Sequence, residues 1–262
     1  MQPLAIQLGP LAVHWYGVLV ALGFYAGLLT AARRARRVGV ASDDIWNMGT
    51  WVVIGALVGA RIWYVVSYWK EDFADRPWLE TMMIQRGGLV FYGGFIGAFL
   101  ACYVYVHRVG LPAWKVADVM APSIALGHAI GRLGCLMHGC CYGLACDLPW
   151  AIHFPGRHET RGAGVHPTQL YESGLNLLMS LALARVFKVR RFDGQVFALY
   201  MCCYAVLRSI VEVFRGDYPN RYAGGLLTPA HLVSVAIFAL GTALFVWLWN
   251  RASKPVEESI DP

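Results

Sequence analysis

Residues 127–143 read GHAIGRLGCLMHGCCYG and close an apolar run that begins near residue 115. The stretch combines one arginine, Arg132, with two histidines, three cysteines and five glycines. An arginine at bilayer depth costs about 2.5–3.5 kcal/mol, so it is rarely placed there without a role. Glycines let another group approach the backbone closely. The stretch therefore predicts a site that receives an anionic group from a membrane.

The composition around this stretch is that of a membrane protein. The chain has 262 residues, of which 58% are hydrophobic and 15% charged, whereas about a quarter of the residues of a soluble domain are charged. The apolar residues come in blocks of about 20, the length of a helix that crosses a bilayer. We expect an all-α fold, a polytopic integral membrane helix bundle that forms one domain over residues 1–262.

About seven spans are predicted from the positions of these apolar blocks. They cover residues 13–32, 46–69, 88–107, 115–135, 169–187, 194–213 and 229–249. An odd number of spans places the two termini on opposite sides, and Arg33, Arg34, Arg36 and Arg37 directly follow the first span. By the positive-inside rule, the N-terminus faces outward and the C-terminus is cytoplasmic. The net charge of +6 is thus explained by topology, and no nucleic-acid partner is predicted.

Two of the segments outside the predicted spans carry further predictions. Residues 136–168, the longest of these, are rich in Gly, Cys, His and Pro. Trp150, Ile152 and Phe154 lie among the polar residues there, which favours a small folded cap on the outer face. A long non-repetitive connection of this kind is usually functional or disordered. Residues 252–262 are polar and are predicted to form a cytoplasmic tail.

Arg61, Arg132 and Arg208 fall inside or at the edge of spans. Arg208 and Glu212 are four residues apart on one helix face, which fits either a self-neutralising pair or a functional one. Arg61 is expected to be structural and to pair with a carbonyl or acid of a neighbouring span. Arg132 is the strongest functional candidate, because the glycines leave space beside it.

The cysteines and histidines of the cap region allow two further interpretations. A metal site would draw on Cys135, Cys140, Cys141, Cys146, His128, His138 and His153. The spacing does not match a paired C-x-x-C arrangement, and adjacent cysteines rarely both bind one zinc ion, so no metal site is predicted. A disulfide among Cys140, Cys141 and Cys146 is chemically permissible on an outer face.

Five blocks of the sequence resemble the prolipoprotein diacylglyceryl transferase family. Residues 127–143 are similar to the family's signature, with Gly131, Arg132, Gly134, Gly139 and Gly143 as the matching residues. The other four blocks follow in the family's order: residues 14–17 (HWYG), 87–94 (GGLVFYGG), 166–172 (HPTQLYE) and 208–215 (RSIVEVFR). The resemblance covers nearly the whole chain, and the family has seven spans with an outward-facing N-terminus.

The resemblance implies an activity and its partners. The family moves the diacylglyceryl group of phosphatidylglycerol onto the lipobox cysteine thiol of a preprolipoprotein. A thioether forms and glycerol-1-phosphate leaves. The implied setting is the bacterial cytoplasmic (inner) membrane, and the implied partners are phosphatidylglycerol, signal peptides that carry a lipobox, and the bilayer itself. No cofactor and no metal is implied.

The resemblance also implies roles for individual residues. Arg132 and Arg208 would hold the lipid phosphate through bidentate hydrogen bonds, and Glu212 would orient Arg208. Tyr16 matches an essential tyrosine of the family and would hydrogen-bond the lipid, although an interfacial tyrosine anchor is the alternative. The implied catalytic residues are Tyr16, Arg132, Arg208, Glu212 and His166. The implied phosphatidylglycerol-binding residues are Arg132, Arg208, Gly143, Tyr16 and Tyr92.

The sequence departs from the best-known members at the position of the proposed base. Those members have a histidine in the Gly-Gly block, where this chain has Tyr92, and a tyrosine with a pKa near 10 is a poor base at neutral pH. Cys135, His138 and Cys140 replace a frequent asparagine, asparagine and glutamate, respectively. The base is therefore unassigned, and the candidates are His14, His138, His166 and the lipid phosphate.

Two other classes of protein compete with the transferase. A transporter or channel would use the intramembrane arginines to bind a translocated anion, but such proteins often show two related halves, and the sequence shows no internal repeat. A membrane thiol-redox protein would use Cys135, Cys140, Cys141 and Cys146. Replacing these four cysteines would distinguish the redox protein from the transferase.

Overall fold

The computed structural model describes residues 4–8, 11–74, 78–83, 87–217 and 228–253. Within these residues each predicted span lies on one of seven long helices, which confirms the all-α fold. The helices are α1 (Trp15–Ala35), α2 (Ser42–Ser67), α3 (Phe91–Val109), α4 (Ala113–His138), α5 (Thr168–Val189), α6 (Gln195–Phe214) and α7 (Pro229–Ala252).

Five of the described helices, α1, α2, α4, α6 and α7, are long and apolar enough to cross a membrane. This agrees with a polytopic membrane protein. Helix α5 buries Gln169, Glu172 and Asn176 on one side, which lowers its hydrophobicity. The count of seven spans stays a prediction, and the predicted tail lies outside the described residues from position 254 onward.

Short strands and turns complete the described structure. An antiparallel hairpin that the sequence analysis did not predict precedes α1 and pairs β1 (Leu4–Leu8) with β2 (Leu11–His14), with a bulge between Leu4 and Ile6. A second hairpin pairs β3 (Ile152–His153) with β4 (Gly164–Val165) between α4 and α5. Short helical turns cover Arg36–Val38, Trp69–Phe73 and Trp78–Met82.

The chain divides into two compact units, Met1–Ala31 with Ala117–Pro262, and Ala32–Val116. In the unit Ala32–Val116, α2 and α3 pack through glycines. A Cβ added at Gly55 would lie 2.5 Å from the carbonyl oxygen of Gly97, and one added at Gly59 would lie 2.3 Å from that of Gly93. Small residues at such contacts let membrane helices approach closely.

The other unit fixes α4, the helix that carries the signature, through contacts with α1 and α5. A Cβ added at Gly23 of α1 would lie 2.7 Å from the carbonyl oxygen of Gly127. Ser173 and Ser180 of α5 donate hydrogen bonds to the carbonyls of Ala129 (2.7 Å) and Pro122 (2.7 Å) on α4. These contacts set the rotation of α4 and hence the direction of its polar side chains.

Helix α6 is also attached to α4. Asp118 of α4 is fully buried and accepts hydrogen bonds from the backbone N–H groups of Gly194 (2.9 Å) and Phe197 (3.0 Å). Arg190 Nε lies 3.3 Å from the same carboxylate. The first N–H groups of a helix lack partners inside it, so Asp118 caps α6 from a distant part of the chain.

The segment between α4 and α5 is folded against both helices. Phe154 is buried and stacks on the ring of His158, whose Nε2 lies 2.7 Å from the carbonyl oxygen of Gly139. Trp150 Nε1 donates to the hydroxyl of Tyr171 on α5 at 2.8 Å. The apolar residues noted in the sequence thus hold this segment in place, while its position on the outer face stays a prediction.

Candidate active site

The end of α4 reverses the chain at the signature. Gly139 has φ +89°, and its N–H bonds to the carbonyl of Leu136 at 3.2 Å, while the N–H of Cys140 bonds to the carbonyl of Cys135 at 3.2 Å. This is the Schellman pattern that ends many helices at a glycine. It turns Cys140 and Cys141 back over the last turn of α4.

The reversed loop is held by the start of α5. Thr168 Oγ1 donates to the carbonyl of Cys141 at 2.6 Å, and Gln169 Nε2 donates to the carbonyl of Cys140 at 2.7 Å. Both side chains are buried. The block at residues 166–172 therefore fixes the signature loop through hydrogen bonds that a sequence comparison alone does not reveal.

Gly143 joins three of the sequence blocks. Its N–H donates to the carbonyl of His166 at 3.0 Å, and the next N–H, that of Leu144, donates to the carbonyl of Phe214 at 2.8 Å. A Cβ at position 143 would lie 2.5 Å from His166 Cβ and 2.8 Å from the Phe214 oxygen. This packing explains why position 143 is a glycine. A role of Gly143 in substrate binding stays a prediction.

Arg132 extends from α4 to a buried carboxylate on α5. Its Nη2 donates to Glu172 Oε1 at 2.8 Å, and its Nε lies 3.2 Å from His128 Nε2. The side chain of Glu172 is only 2% exposed. A buried charge is costly unless it is paired, so Glu172 both requires Arg132 and fixes its position.

His128 is shared between the two charged groups. Its Nε2 lies 3.3 Å from Glu172 Oε1 as well as 3.2 Å from Arg132 Nε. One ring nitrogen either accepts from the arginine or donates to the carboxylate, but not both at once. Neither His128 nor Glu172 was predicted as a site residue. The signals in the sequence were the spacing of four residues between His128 and Arg132 and the position of Glu172 at the end of the block at residues 166–172.

Arg208 has a different arrangement on α6. Its Nη2 forms an ion pair with Glu212 Oε2 at 2.7 Å, and Glu212 Oε1 accepts from Thr228 Oγ1 at 2.8 Å. Arg208 is 11% exposed, yet its Nη1 is buried and has no hydrogen-bond partner among the described residues. This N–H group is a donor in need of an acceptor. Thr228, at the start of α7, was not predicted as a site residue.

The two arginines belong to one electrostatic environment. The charges of Arg132 and Arg208 both act on Glu172 and on Tyr204 of α6. The Tyr204 ring lies 5.7 Å from that of His128, centroid to centroid. Helices α4, α5 and α6 therefore bring the two predicted phosphate ligands into the same polar site.

Tyr16 lies at the start of α1 beside the signature. A Cβ added at Gly134 would lie 3.4 Å from Tyr16 Cδ2, and the Tyr16 ring is 6.0 Å from the ring of His138. The charge of Arg132 also acts on Tyr16. Of the candidate bases, His138 is thus near Tyr16, while His14 is exposed on β2.

His166 lies at the other side of the signature loop. Its Nδ1 is 3.3 Å from the hydroxyl of Tyr171, and its ring is 5.3 Å from the ring of Phe214. Tyr142, in the signature, donates to Glu159 at 2.7 Å, and this carboxylate raises the pKa of Tyr142 to about 12. A phenol with that pKa is protonated at neutral pH and does not serve as a base.

Two predicted residues belong to the unit Ala32–Val116. Tyr92 is 71% exposed on α3 and contacts Phe91. Arg61 of α2 is buried and donates to four backbone carbonyls, those of Glu80 (2.8 Å), Thr81 (2.7 Å), Gly87 (2.8 Å) and Gly88 (3.1 Å). The predicted pairing of Arg61 with carbonyls is confirmed, although they belong to the segment before α3 and not to a span.

Three of the cysteines form a cluster. The sulfur atoms of Cys135, Cys140 and Cys141 all lie within 4.8 Å of one another. Cys146 is outside this group, and all seven cysteines of the chain are free thiols in the structure.

Comparison with known proteins identifies the family of the chain. Residues 3–247 match the family model described as prolipoprotein diacylglyceryl transferase. The chain is 38% identical over 245 residues to the phosphatidylglycerol–prolipoprotein diacylglyceryl transferase of Finegoldia magna, which covers 93% of this chain and 94% of the relative. It is 34% identical over 258 residues to the enzyme of that name from Synechococcus elongatus, which covers 95% and 88%. The matching regions include every block that builds the site, and the chain belongs to the prolipoprotein diacylglyceryl transferase family.

Proposed function

We propose that this chain transfers the diacylglyceryl group of phosphatidylglycerol to the lipobox cysteine thiol of a preprolipoprotein, the first step of lipoprotein maturation. The sulfur of the peptide forms a bond to the terminal glyceryl carbon of the diacylglyceryl group. The bond from that carbon to the phosphate oxygen breaks, and glycerol-1-phosphate leaves with the electron pair. The thiol proton passes to an acceptor.

The observation that carries this proposal is the buried Nη1 of Arg208, which has no acceptor among the described residues. An unsatisfied buried donor costs about 1–3 kcal/mol. A phosphate oxygen of phosphatidylglycerol would remove that cost, and its negative charge would match the guanidinium group. Arg132, whose charge acts on the same Glu172, is the proposed second ligand of this phosphate.

The two carboxylates give the arginines fixed positions. Glu172 and Glu212 are both almost fully buried, and each is within 2.8 Å of one arginine. In the reaction, negative charge grows on the departing phosphate. Cationic groups that are already oriented stabilise that charge without reorganising during the reaction. Glu212 and Glu172 therefore act as positioning residues, and Arg132 and Arg208 as the groups that contact the lipid.

We assign Tyr16 to the lipid headgroup and the proton transfer to His138 or His166. The ring of His138 lies beside Tyr16, and His166 lies against the signature loop at Gly143. A free thiol has a pKa near 8.5 and reacts faster as a thiolate, so a nearby imidazole would raise the rate. Comparing the pH–rate profiles of His138→Gln and His166→Gln identifies which histidine accepts the proton. Only the variant that lacks the acceptor is expected to lose the fall in rate at low pH.

The setting proposed for this reaction is the bacterial inner membrane. The four arginines that follow the first span support an outward N-terminus and a cytoplasmic C-terminus. The segment between α4 and α5 would then form the cap on the outer face, next to the lipid. We treat the chain as one integral membrane domain and assign Tyr92 and Gly143 to phosphatidylglycerol binding on the family resemblance alone.

The proposal is tested with purified protein, phosphatidylglycerol and a synthetic lipobox peptide. The expected result is release of glycerol-1-phosphate together with a peptide heavier by the diacylglyceryl group, measured by mass spectrometry. A matched peptide with serine in place of the lipobox cysteine serves as the control. Failure to release glycerol-1-phosphate, under conditions in which a related transferase is active, would refute the proposal.

A second experiment addresses the competing thiol-redox function. The variant in which Cys135, Cys140, Cys141 and Cys146 are all replaced by serine is expected to retain measurable transfer, because the proposed reaction uses the thiol of the peptide. A membrane redox protein would lose its function with these four cysteines. Absence of transfer in the unmodified chain, together with a thiol-redox activity that is lost in this variant, would therefore favour the redox alternative.

A further inference from the structure

The cluster of Cys135, Cys140 and Cys141 has no role in the proposed transfer reaction. Its three sulfur atoms lie within 4.8 Å of one another, and the side chains are partly buried. Sulfur atoms that share one metal ion at about 2.3 Å each are about 4 Å apart. The separation of the three sulfurs is thus compatible with a common ion after small rotations of the side chains.

The turn at the end of α4 explains why the three thiols meet. In a Schellman turn, the third residue before the helix end contacts the second residue after it, usually through apolar side chains. These two positions are Cys135 and Cys140, which are linked by the backbone hydrogen bond between them. Cys141 has φ +61°, an uncommon value for a residue other than glycine, and its thiol joins the other two.

The cluster is also held before any ligand arrives. Thr168 and Gln169, both buried, bind the carbonyls of Cys141 and Cys140. The backbone that carries two of the thiols is therefore fixed by α5, and the third thiol is on α4. A site whose ligands are already positioned loses less conformational entropy on binding than a flexible loop does.

A guanidinium group lies beside the cluster. Arg132 Nη1 is 3.9 Å from Cys135 Sγ, while Nη2 of the same side chain pairs with Glu172. Three thiolates around a divalent ion carry a net charge of −1, and a cation at this distance offsets a part of that charge.

The chemistry of the donors selects the class of ion. Thiolates prefer soft or borderline ions such as Cu⁺ and Zn²⁺ over Mg²⁺ and Ca²⁺, which bind oxygen. The spacing in the sequence does not match a zinc motif, and the turn geometry is what brings the adjacent cysteines together. We propose that Cys135, Cys140 and Cys141 form a three-thiolate binding site for one thiophilic metal ion.

The site can be tested by titrating the reduced full-length protein in detergent micelles with Cd²⁺ alone. Binding to thiolates produces a sulfur-to-cadmium charge-transfer absorption, and we expect it to saturate at one ion per chain. Cys135→Ser, Cys140→Ser and Cys141→Ser are each expected to raise the apparent Kd at least tenfold. Cys146→Ser is the matched control and is expected to bind as the unmodified chain does.

A second measurement needs no substitution and so does not depend on whether the variants fold. Cd²⁺ is added to the unmodified protein, the free thiols are alkylated, and the modified cysteines are identified by mass spectrometry. The three cysteines of the cluster are expected to be protected, and Cys146 is expected to be labelled. Absence of the charge-transfer band, a band that survives replacement of all three cysteines, or equal labelling of Cys146 and the cluster would each overturn the proposal. Neither measurement reads the transfer reaction, so the result is independent of the proposed function.

Discussion

Arg61 of α2 and Arg208 of α6 are two arginines with little exposure on apolar helices, and the donors of their side chains are satisfied in opposite ways. Arg61 is 8% exposed and donates four hydrogen bonds to backbone carbonyls. Arg208 is 11% exposed and has one ion pair, to Glu212, with its Nη1 left without an acceptor among the described residues. The residue type and the degree of burial are nearly the same, so neither distinguishes a structural arginine from a functional one.

The hydrogen-bond acceptors around the two guanidinium groups distinguish Arg61 from Arg208. Backbone carbonyls around Arg61 are neutral and fixed, and they use most of the five N–H groups of its guanidinium. Glu212 neutralises Arg208 without using all of its donors. A buried donor without an acceptor is rare in proteins, because it costs free energy that folding must offset. Such a donor, in the polar site to which Arg132 also belongs, is the feature that marks the site for an anion.

The largest effect on transfer is expected for Arg208→Ala. A hydrogen bond to a charged group contributes about 1.5–3 kcal/mol, and about 1.4 kcal/mol corresponds to a tenfold change in rate. Loss of the guanidinium charge and of its unpaired Nη1 donor should therefore lower the transfer rate by about 100-fold, measured as glycerol-1-phosphate release per folded protein. Arg208→Lys should recover only a part of the transfer rate, because lysine keeps the positive charge but lacks the planar set of guanidinium donors. A rate near that of the unmodified protein would erase the distinction between Arg208 and Arg61.

Arg132→Ala is expected to lower the rate by about 30-fold, by the same conversion of hydrogen-bond energy into rate. The effect is placed below that of Arg208 because Nε and Nη2 of Arg132 already have partners within the protein. The same release assay measures it, with a thermal unfolding curve to show that the variant folds. If turnover stayed near normal, Arg132 would be a structural arginine like Arg61 and the phosphate would be held elsewhere.

Tyr16→Phe removes one hydroxyl and keeps the ring against Gly134. A neutral hydrogen bond contributes about 0.5–1.5 kcal/mol, so we expect a loss of transfer of about fivefold. The apparent KM for phosphatidylglycerol should rise if the hydroxyl binds the headgroup. An interfacial anchor would not need the hydroxyl in this way, and unchanged kinetics would identify Tyr16 as an anchor only.

Arg61→Ala should have the smallest effect on transfer per folded molecule, within about twofold, because the hydrogen bonds of Arg61 all go to backbone carbonyls and leave no described donor for the lipid. Its main effect should be on stability, since several buried carbonyls lose their partner at about 1–3 kcal/mol each. A lower thermal midpoint and a lower yield of folded protein are the expected readouts. Strong loss of transfer in a variant with an unchanged midpoint would contradict the structural role.

Sequence reasoning was sufficient for those parts of the fold that rest on local composition. Apolar runs of about 20 residues predicted all seven long helices, because the bilayer requires that length. The hairpin of β1 and β2 was not predicted, since each strand is short and its pairing depends on the partner strand. Arg132 and Arg208 could be identified as candidates from the sequence, because a charged residue inside an apolar run is unusual.

The partners of these arginines were much less visible. Glu172 is 40 residues from Arg132 along the chain, and Thr228 is 16 residues from Glu212. No helical spacing links such residues, so only the packing of α4 with α5, and of α6 with the start of α7, brings them together. The cysteine cluster was hidden for a related reason. The spacing of the cysteines in the sequence argued against a shared metal ion. In the structure, the Schellman turn at Gly139 brings the three thiols close together.

The cap that Asp118 provides for α6 has a consequence for assembly in the membrane. The N–H groups of Gly194 and Phe197 find their acceptor 76 and 79 residues earlier in the chain. Before α4 and α6 pack together, the carboxylate of Asp118 and these N–H groups cannot form their hydrogen bonds. Exposure of such groups to lipid is costly, which favours early pairing of the two helices during insertion. The helix that carries Arg132 and the helix that carries Arg208 would then meet first at their far ends, before the catalytic ends close together.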